Sequence, residues 1–407
     1  MMISKTFYII NQYSSTPERG IGGRHYYLAR ELVDLGHKVY LIAASNTHLL
    51  RNPHNLRNDY KLENISGLKF VWIKTSKYNY AKDKKRIWNW FLFGFKLLKL
   101  PKIVPDKPHA ILYSSPSLIS FLSAFYLAKK FNSKLVWDIR DIWPLTLIKL
   151  GKFSKFHPFI IFLQWIENFA SKKSDFITSN IPLAINHLLK KGVKKKNFLW
   201  IPNGFSEDDF KKKKFLNLRT ANKIPSDKFI IGYSGTIGMA NALNTLLDTA
   251  FLTKNYDDIH YVLVGDGSLT KEIREFILVN KLKNVSLIKS IPKKEIPSLL
   301  QHFDVCYAGL SKSSIYKYGI ALNKLPEYFM SGKPILLSLD SVYKPVELAK
   351  AGLTVPAENP LAIVNAILKL KQMTIKQRKK FGKNGRSYAM RNHNYKIIAR
   401  NLEKILT

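Results

Sequence analysis

Residues 6–45 read TFYIINQYSSTPERGIGGRHYYLARELVDLGHKVYLIAAS. The first segment, TFYIINQY (6–13), is a β-branched and aromatic run of the length of one buried strand. RHYYLARELVDLG (24–36) has apolar residues at helical spacing, and KVYLIAAS (38–45) is a second strand run. Strand, helix and strand in this order form a βαβ unit, whose two strands lie parallel because the helix carries the chain back across the sheet.

The same alternation continues outward. Strands are expected at 68–75, 109–115, 134–139, 175–180 and 198–201, with helical stretches between most of them. At IPNGFSEDDFKKKKF (201–215) turn residues, acids and a lysine run interrupt the pattern. A fresh series follows, with strands at 228–235, 259–267, 285–290, 304–309 and 333–339 and helices across 241–253 and 269–280. The expected class is therefore α/β: two Rossmann-like, doubly wound parallel-sheet domains facing an interdomain cleft. The bounds read as 1–205, 206–385, and a C-terminal helix at 386–407 packing back on the first domain. Ligands of such sheets bind outside the carboxyl ends of the strands.

The 407 residues carry a formal charge of +38 with 46% hydrophobic and 13% aromatic content, which excludes a disordered polyelectrolyte. Such a field attracts phosphorylated ligands, anionic lipid and nucleic acid alike. Cys306 is the only cysteine, so an intramolecular disulfide and a cysteine metal site are both excluded, and a cytoplasmic compartment fits. The N-terminal apolar run is too short for a signal peptide, and no run of about 20 apolar residues spans a bilayer. The chain is expected to be soluble or held at a membrane from one side.

Three kinds of motif carry chemistry. The loop ERGIGGRHYYLA (18–29) sets Gly20, Gly22, Gly23 and Arg24 between strand and helix, where missing Cβ atoms let N–H groups approach an anion. It lacks the G-x-G-x-x-G spacing of a dinucleotide site, which disfavours a NAD enzyme. YSGTIGMANAL (233–243) repeats that logic with Gly235, Thr236 and Gly238, and VGDGSL (264–269) adds Gly265, either as a ligand loop or as a tight connection. In KLVWDIRDIWPL (134–145), Asp138, Arg140, Asp141 and Trp143 crowd a strand's carboxyl end. They read either as an ion-pair cluster or as a cation for phosphate beside an acceptor for a sugar hydroxyl. In YGIALNKLPEYFMSGKPILL (318–337), Lys324 and Glu327 stand three apart, the spacing of a helical ion pair; the alternative is a glutamate in a first helical turn that accepts ribose hydroxyls. Finally, KDKKRIWNWFLFGFKLLKLPKIV (82–104) mixes aromatics with cations. It is either a buried helix or an interfacial one, with Arg86, Trp88, Trp90, Phe91, Phe95 and Lys96 as the lipid contacts.

Taken together, the first glycine loop, WDIRDIWP, IPNGF, GYSGTIG, VGDG and NKLPEYFMSGKPIL resemble the retaining glycosyltransferases of family 4, of GT-B type, with closest similarity to WbuB-type enzymes of O-antigen and capsule assembly, described as L-fucosamine transferases. The resemblance implies transfer of a sugar, such as the 6-deoxyhexose FucNAc, from a UDP-sugar to a polyprenyl-diphosphate-linked saccharide. It implies no cofactor and no metal, a peripheral place at the cytoplasmic face of the bacterial inner membrane with anionic lipid as partner, and no nucleic acid. By position it assigns donor binding to Gly235, Thr236, Gly238, Gly265, Lys324 and Glu327. Catalysis falls to Arg140, Asp141 and Gly23, and acceptor or phosphate contact to Gly22 and Arg24. Two departures stand out. Gly319 occupies the place of the family's first glutamate, and Thr236 and Asn241 stand where many relatives carry Arg and Lys, so Lys324 becomes the candidate cation. A sugar-nucleotide epimerase of the same fold and an inactive sugar-binding relative are the alternatives.

Overall fold

A computed structural model describes residues 4–20, 23–78, 83–212 and 214–407. The chain forms two compact units, one of Met1–Asn203 with Tyr395–Thr407 and one of Gly204–Asn394.

The first unit is built on β1 (Thr6–Ile10), β2 (Lys38–Ala44), β3 (Tyr60–Ile65), β4 (Leu68–Ile73), β5 (Ala110–Ser114), β6 (Lys134–Ile139), β7 (Phe176–Ser179) and β8 (Phe198–Trp200). The sheet order is β3-β4-β2-β1-β5-β6-β7-β8, parallel except for β3, which pairs antiparallel with β4. Central strands read as continuous apolar runs because both faces are covered by helices. Phe7 to Ile10 and Val39 to Ala44 are all fully buried. The helices that matter here are α1 (Gly23–Asp34), α2 (Lys85–Leu97), α3 (Phe121–Phe131) and α4 (Pro158–Lys173). The sequence reading does not include β3. Its Lys61, Leu62 and Asn64 are exposed at a sheet edge, where polar and charged residues guard against further pairing and leave a weak strand signal.

The second unit has β9 (Phe229–Ser234), β10 (Ile259–Val264), β11 (Val285–Ile288), β12 (Val305–Gly309), β13 (Ile335–Ser338) and β14 (Gly352–Val355), in the all-parallel order β11-β10-β9-β12-β13-β14. Its helices include α5 (Leu243–Leu252), α6 (Thr270–Val279), α7 (Leu325–Ser331), α8 (Pro360–Gln372) and α9 (Ile375–Asn392). The four-residue β14 also escapes the sequence reading. The last helix, α10 (Tyr395–Leu406), belongs to the first unit. Ile398, Ala399, Leu402 and Leu406 join the core beneath α1, and Tyr395 stacks on Tyr27 at 5.1 Å. The chain leaves the second unit after Asn394, so residues 386–392 complete α9 rather than opening a helix on the first unit.

Candidate functional site

In the second unit the strand order reverses beside β9: β10 lies on one side and β12 on the other. The turns after β9 and β10 are packed backbone to backbone. Gly235 N–H donates to Val264 O (3.0 Å) and Ile237 N–H to Asp266 O (2.9 Å), and a Cβ on Gly265 would lie 1.8 Å from Gly235 O. Gly265 is thus a glycine because two loops touch there, which favours the tight-connection reading over a ligand loop. Alternating with those two committed donors, the N–H groups of Thr236, between them, and of Gly238, just after, have no hydrogen-bond partner among the described residues. They are the donors left for an anion.

Lys324 supplies the charge. It caps the start of α7, and four residues on, Tyr328 points from the same helix face. The Tyr328 hydroxyl accepts from Ser234 N–H at 2.8 Å, which pins α7 to the end of β9. The ammonium of Lys324 therefore falls on the Gly235 turn. Its Nζ lies 3.8 Å from the Tyr233 ring centroid and donates to Asn241 Oδ1 at 3.2 Å. A Cβ on Gly235 would be 3.1 Å from that nitrogen, so the glycine makes its room. Among the described residues no carboxylate pairs with Lys324, and burial pushes its pKa down to about 7. Asn241 also donates to Thr236 O at 2.9 Å, so the residue at the missing-cation position holds the substitute cation.

The helical ion pair of Lys324 with Glu327, one of the two readings of their spacing, does not form. Glu327 turns to Lys293, at 3.4 Å, a partner that no sequence spacing announces. Gly319, at the place of the family's first glutamate, has φ of +90°, the left-handed region that favours glycine. A glutamate there carries backbone strain, so the missing acid is a conformational requirement of this loop.

In the first unit the carboxyl end of β6 carries a buried network centred on Asp138. Its Oδ2 accepts from Arg24 Nη1 (3.1 Å), His25 Nε2 (3.3 Å) and Ser114 Oγ (2.8 Å), and its Oδ1 from Thr178 Oγ1 (2.8 Å). Arg24 Nη2 donates to Ile201 O at 2.6 Å. The cation beside it and these donors outweigh burial and hold Asp138 far below the usual carboxylate range, while burial pushes His25 down to about 4. Arg24 is accordingly a tie between α1, β6 and the chain after β8, with both terminal nitrogens engaged, which corrects its expected place as an acceptor or phosphate contact. Arg140 differs: it is half-buried, and its guanidinium has no ion-pair or hydrogen-bond partner among the described residues. Asp141 beside it is exposed. Gly23 begins α1 with Tyr27 packed where its Cβ would point. Gly22 lies outside the described residues.

The aromatic helix α2 divides its residues by period. Trp90 is buried, donating from Nε1 to the Tyr13 hydroxyl at 2.6 Å. Arg86 donates to the same hydroxyl at 3.0 Å and lies over the Tyr13 and Trp90 rings, and Lys96 pairs with Asp59 at 2.6 Å. These three are internal ties of the unit rather than the expected lipid contacts. Trp88 (62% exposed), Phe91 (43%) and Phe95 (62%) form the outer face. Phe91 stacks on Phe162 of α4 at 6.5 Å, which extends that face to Trp165 (52%). Among the described residues no helix is long and apolar enough to cross a membrane.

Residues 214–388 match the family model for glycosyl transferases group 1. The second unit carries a group 1 glycosyl transferase domain. All of the donor candidates, from Gly235 to Glu327, lie inside this group 1 domain, whereas Gly23, Arg24, Arg140 and Asp141 lie outside the matched segment. No curated protein sequence matches the chain. Among solved structures, sucrose-phosphate synthase from Thermosynechococcus elongatus is 16% identical, with 98% of either chain covered and a TM-score of 0.75. Anabaena HepE in complex with UDP-glucose is 12% identical over 99% of either chain, with a TM-score of 0.66. WaaG, a glycosyltransferase involved in lipopolysaccharide biosynthesis, is 11% identical over 98% of this chain and 99% of its own, at 0.67. At these identities the likeness establishes the fold, two parallel-sheet α/β domains of the GT-B class.

Proposed function

We propose that the chain is a metal-independent, retaining glycosyltransferase. In this reading it moves a sugar from a UDP-sugar held on the second unit to a polyprenyl-diphosphate-linked saccharide in O-antigen or capsule synthesis, as the WbuB-type resemblance implies. The observation that carries the reading is the Lys324 ammonium seated on the Gly235 turn beside the unpaired N–H groups of Thr236 and Gly238. A cation and fixed dipoles at one point suit a departing diphosphate, whose charge develops as the sugar leaves. The HepE complex with UDP-glucose and the role of WaaG in lipopolysaccharide biosynthesis support donor class and setting by analogy of fold. In the transfer the C1–O bond to the diphosphate breaks and a C1–O bond to the acceptor hydroxyl forms on the same face. The hydroxyl proton passes to the departing phosphate oxygen. Arg140 orients the acceptor's diphosphate, and Asp141 accepts a hydrogen bond from a sugar hydroxyl.

Glu327 binds the ribose hydroxyls, with Lys293 beside its carboxylate at 3.4 Å. Glu327→Ala is expected to weaken UDP binding roughly ten- to a hundredfold, the cost of hydrogen bonds to a charged acceptor, with an unchanged unfolding midpoint. Titration calorimetry reads this, and full affinity in the variant sinks the ribose assignment. A thermal-shift screen of UDP- and GDP-sugars, followed by transfer to a polyprenyl-diphosphate saccharide, tests the whole reading. Free epimer formed without acceptor replaces it with an epimerase.

The outer face of α2 and α4 rests at the headgroup boundary of an anionic bilayer, with Lys84, Lys85 and Lys155 exposed nearby. Burying one such aromatic contributes about 1.5–3 kcal/mol. Trp88→Ala with Phe95→Ala is therefore expected to reduce sedimentation with phosphatidylglycerol vesicles at least tenfold while turnover on a short soluble acceptor stays unchanged. Undiminished sedimentation removes these helices from the membrane contact.

A further inference from the structure

At the opposite end of the second sheet, a concavity of about 780 Å3 opens between α9 and the turn from α7 into β13. Five cations line it: Lys333, Arg378, Lys379, Lys383 and Arg386. The acid among them is Asp304, and its Oδ2 accepts from Ile230 N–H at 2.9 Å. None of the five pairs with a carboxylate among the described residues, although many other lysines of this chain do.

The cations are held in place by bonds that leave their charge uncompensated. Arg386 donates from Nε and Nη2 to Met330 O, at 3.2 and 3.1 Å, closing the last turn of α7. Lys333 Nζ donates to Gln301 O at 2.8 Å, and Arg378 Nη1 to Met373 O at 2.6 Å after α8. The walls cannot move apart easily. A Cβ on Gly382 would lie 1.7 Å from Gly332 O, so α9 sits directly on the α7 turn. Lys379 and Lys383 are one helical turn apart on α9 and complete the rim with exposed ammonium groups. Fixing like charges around one hollow costs free energy that a bound anion offsets.

We propose that this concavity binds a multiply charged phosphate group, free or on a lipid headgroup, separately from the donor site. The two places are distinct. Asp304 and Pro334 lead into the amino ends of β12 and β13, whereas the Gly235 and Gly265 turns follow the carboxyl ends of β9 and β10. Parallel strands of four to six residues set these ends roughly 13–20 Å apart. Arginine forks and lysine points together suit tetrahedral oxyanions with several charges.

The test is binding of inorganic tripolyphosphate to the full chain at 0.15 M salt, with UDP added to occupy the donor site. The double variant Lys379→Glu with Lys383→Glu is expected to lose at least tenfold in affinity. Lys376→Glu with Lys380→Glu makes the same charge change on exposed positions of α9 outside the concavity, and is expected to stay within about twofold. Lys324→Ala should leave this binding intact. Absence of binding by the unaltered chain, equal losses in both double variants, or loss in Lys324→Ala overturns the proposal. Binding of phosphatidylglycerol vesicles that tripolyphosphate displaces, and that only the first double variant loses, assigns the site to a headgroup. Tripolyphosphate binding without that competition assigns it to a free phosphate.

Discussion

Lys324→Ala is expected to weaken UDP-sugar binding about a hundredfold, the equivalent of roughly 3 kcal/mol for charge-assisted hydrogen bonds to a diphosphate. The basis is geometric: it is the cation seated on the Gly235 turn, and Thr236 and Asn241 bring no charge to the positions where relatives do. A second signature accompanies the loss. Burial holds the ammonium at about 7 in the empty site, and an adjacent diphosphate raises it. At pH 8 the empty site is mostly neutral and the complex protonated, so binding takes up a proton and affinity falls as pH rises above 7. Calorimetry in buffers of different ionisation enthalpy measures that uptake. It should vanish in Lys324→Ala, and pH-independent affinity with no uptake in the unaltered chain refutes the role. Asn241→Ala, which removes only the support, should show a smaller loss with uptake retained.

Asp138→Ala is expected to destabilise the first unit by about 3–5 kcal/mol, the usual result of leaving one member of a buried ion pair alone. In a buried setting Arg24 would lose its carboxylate partner, keeping only the Ile201 carbonyl, and His25 the acceptor at its Nε2. Urea unfolding followed by tryptophan fluorescence suits the measurement, since Trp72 and Trp137 are buried in this unit. UDP binding by the second unit should persist at low urea. A variant of undiminished stability that fails only in turnover would make Asp138 a substrate contact instead. The same network sets an acid limit. His25 titrates at about 4 in the folded protein and near 6.5 when unfolded, so the unfolded chain binds the extra proton. This contribution to stability is complete above pH 6.5 and is lost as pH falls towards 4.

The residues of the proposed donor site were legible as positions. The glycines after two strands and the Lys-x-x-Glu spacing marked Gly235, Lys324 and Glu327 as candidates. Their partners were not. Lys324 and Glu327 share the spacing of an ion pair, yet each goes to a residue distant in sequence, Asn241 and Lys293. The i+4 relation between Lys324 and Tyr328 was readable, but not the Ser234 amide that makes it a positioning device. Asp138 was visible among the charges of KLVWDIRDIWPL, without any sign that four donors from α1, β5 and β7 converge on it. For α2 the composition announced an aromatic, basic helix. Which aromatics face out depended on where Tyr13 and Asp59 stand in the fold.

The sequence by itself determined the α/β class, the two mainly parallel sheets, a boundary read at residue 205 against 203 in the fold, and the loops at the carboxyl ends of strands. Those features follow from local periodicity and from glycine and proline punctuation, which act over a few residues. Only the tertiary structure decided that Arg24 is a structural tie, that Arg140 has no partner among the described residues, and that Gly319 cannot readily be an acid. It also decided that Lys333 of the α7–β13 turn and four cations of α9 share one hollow. The physical reason is that a side chain's function is set by its desolvation and its partner, and partners come from elements a hundred residues away.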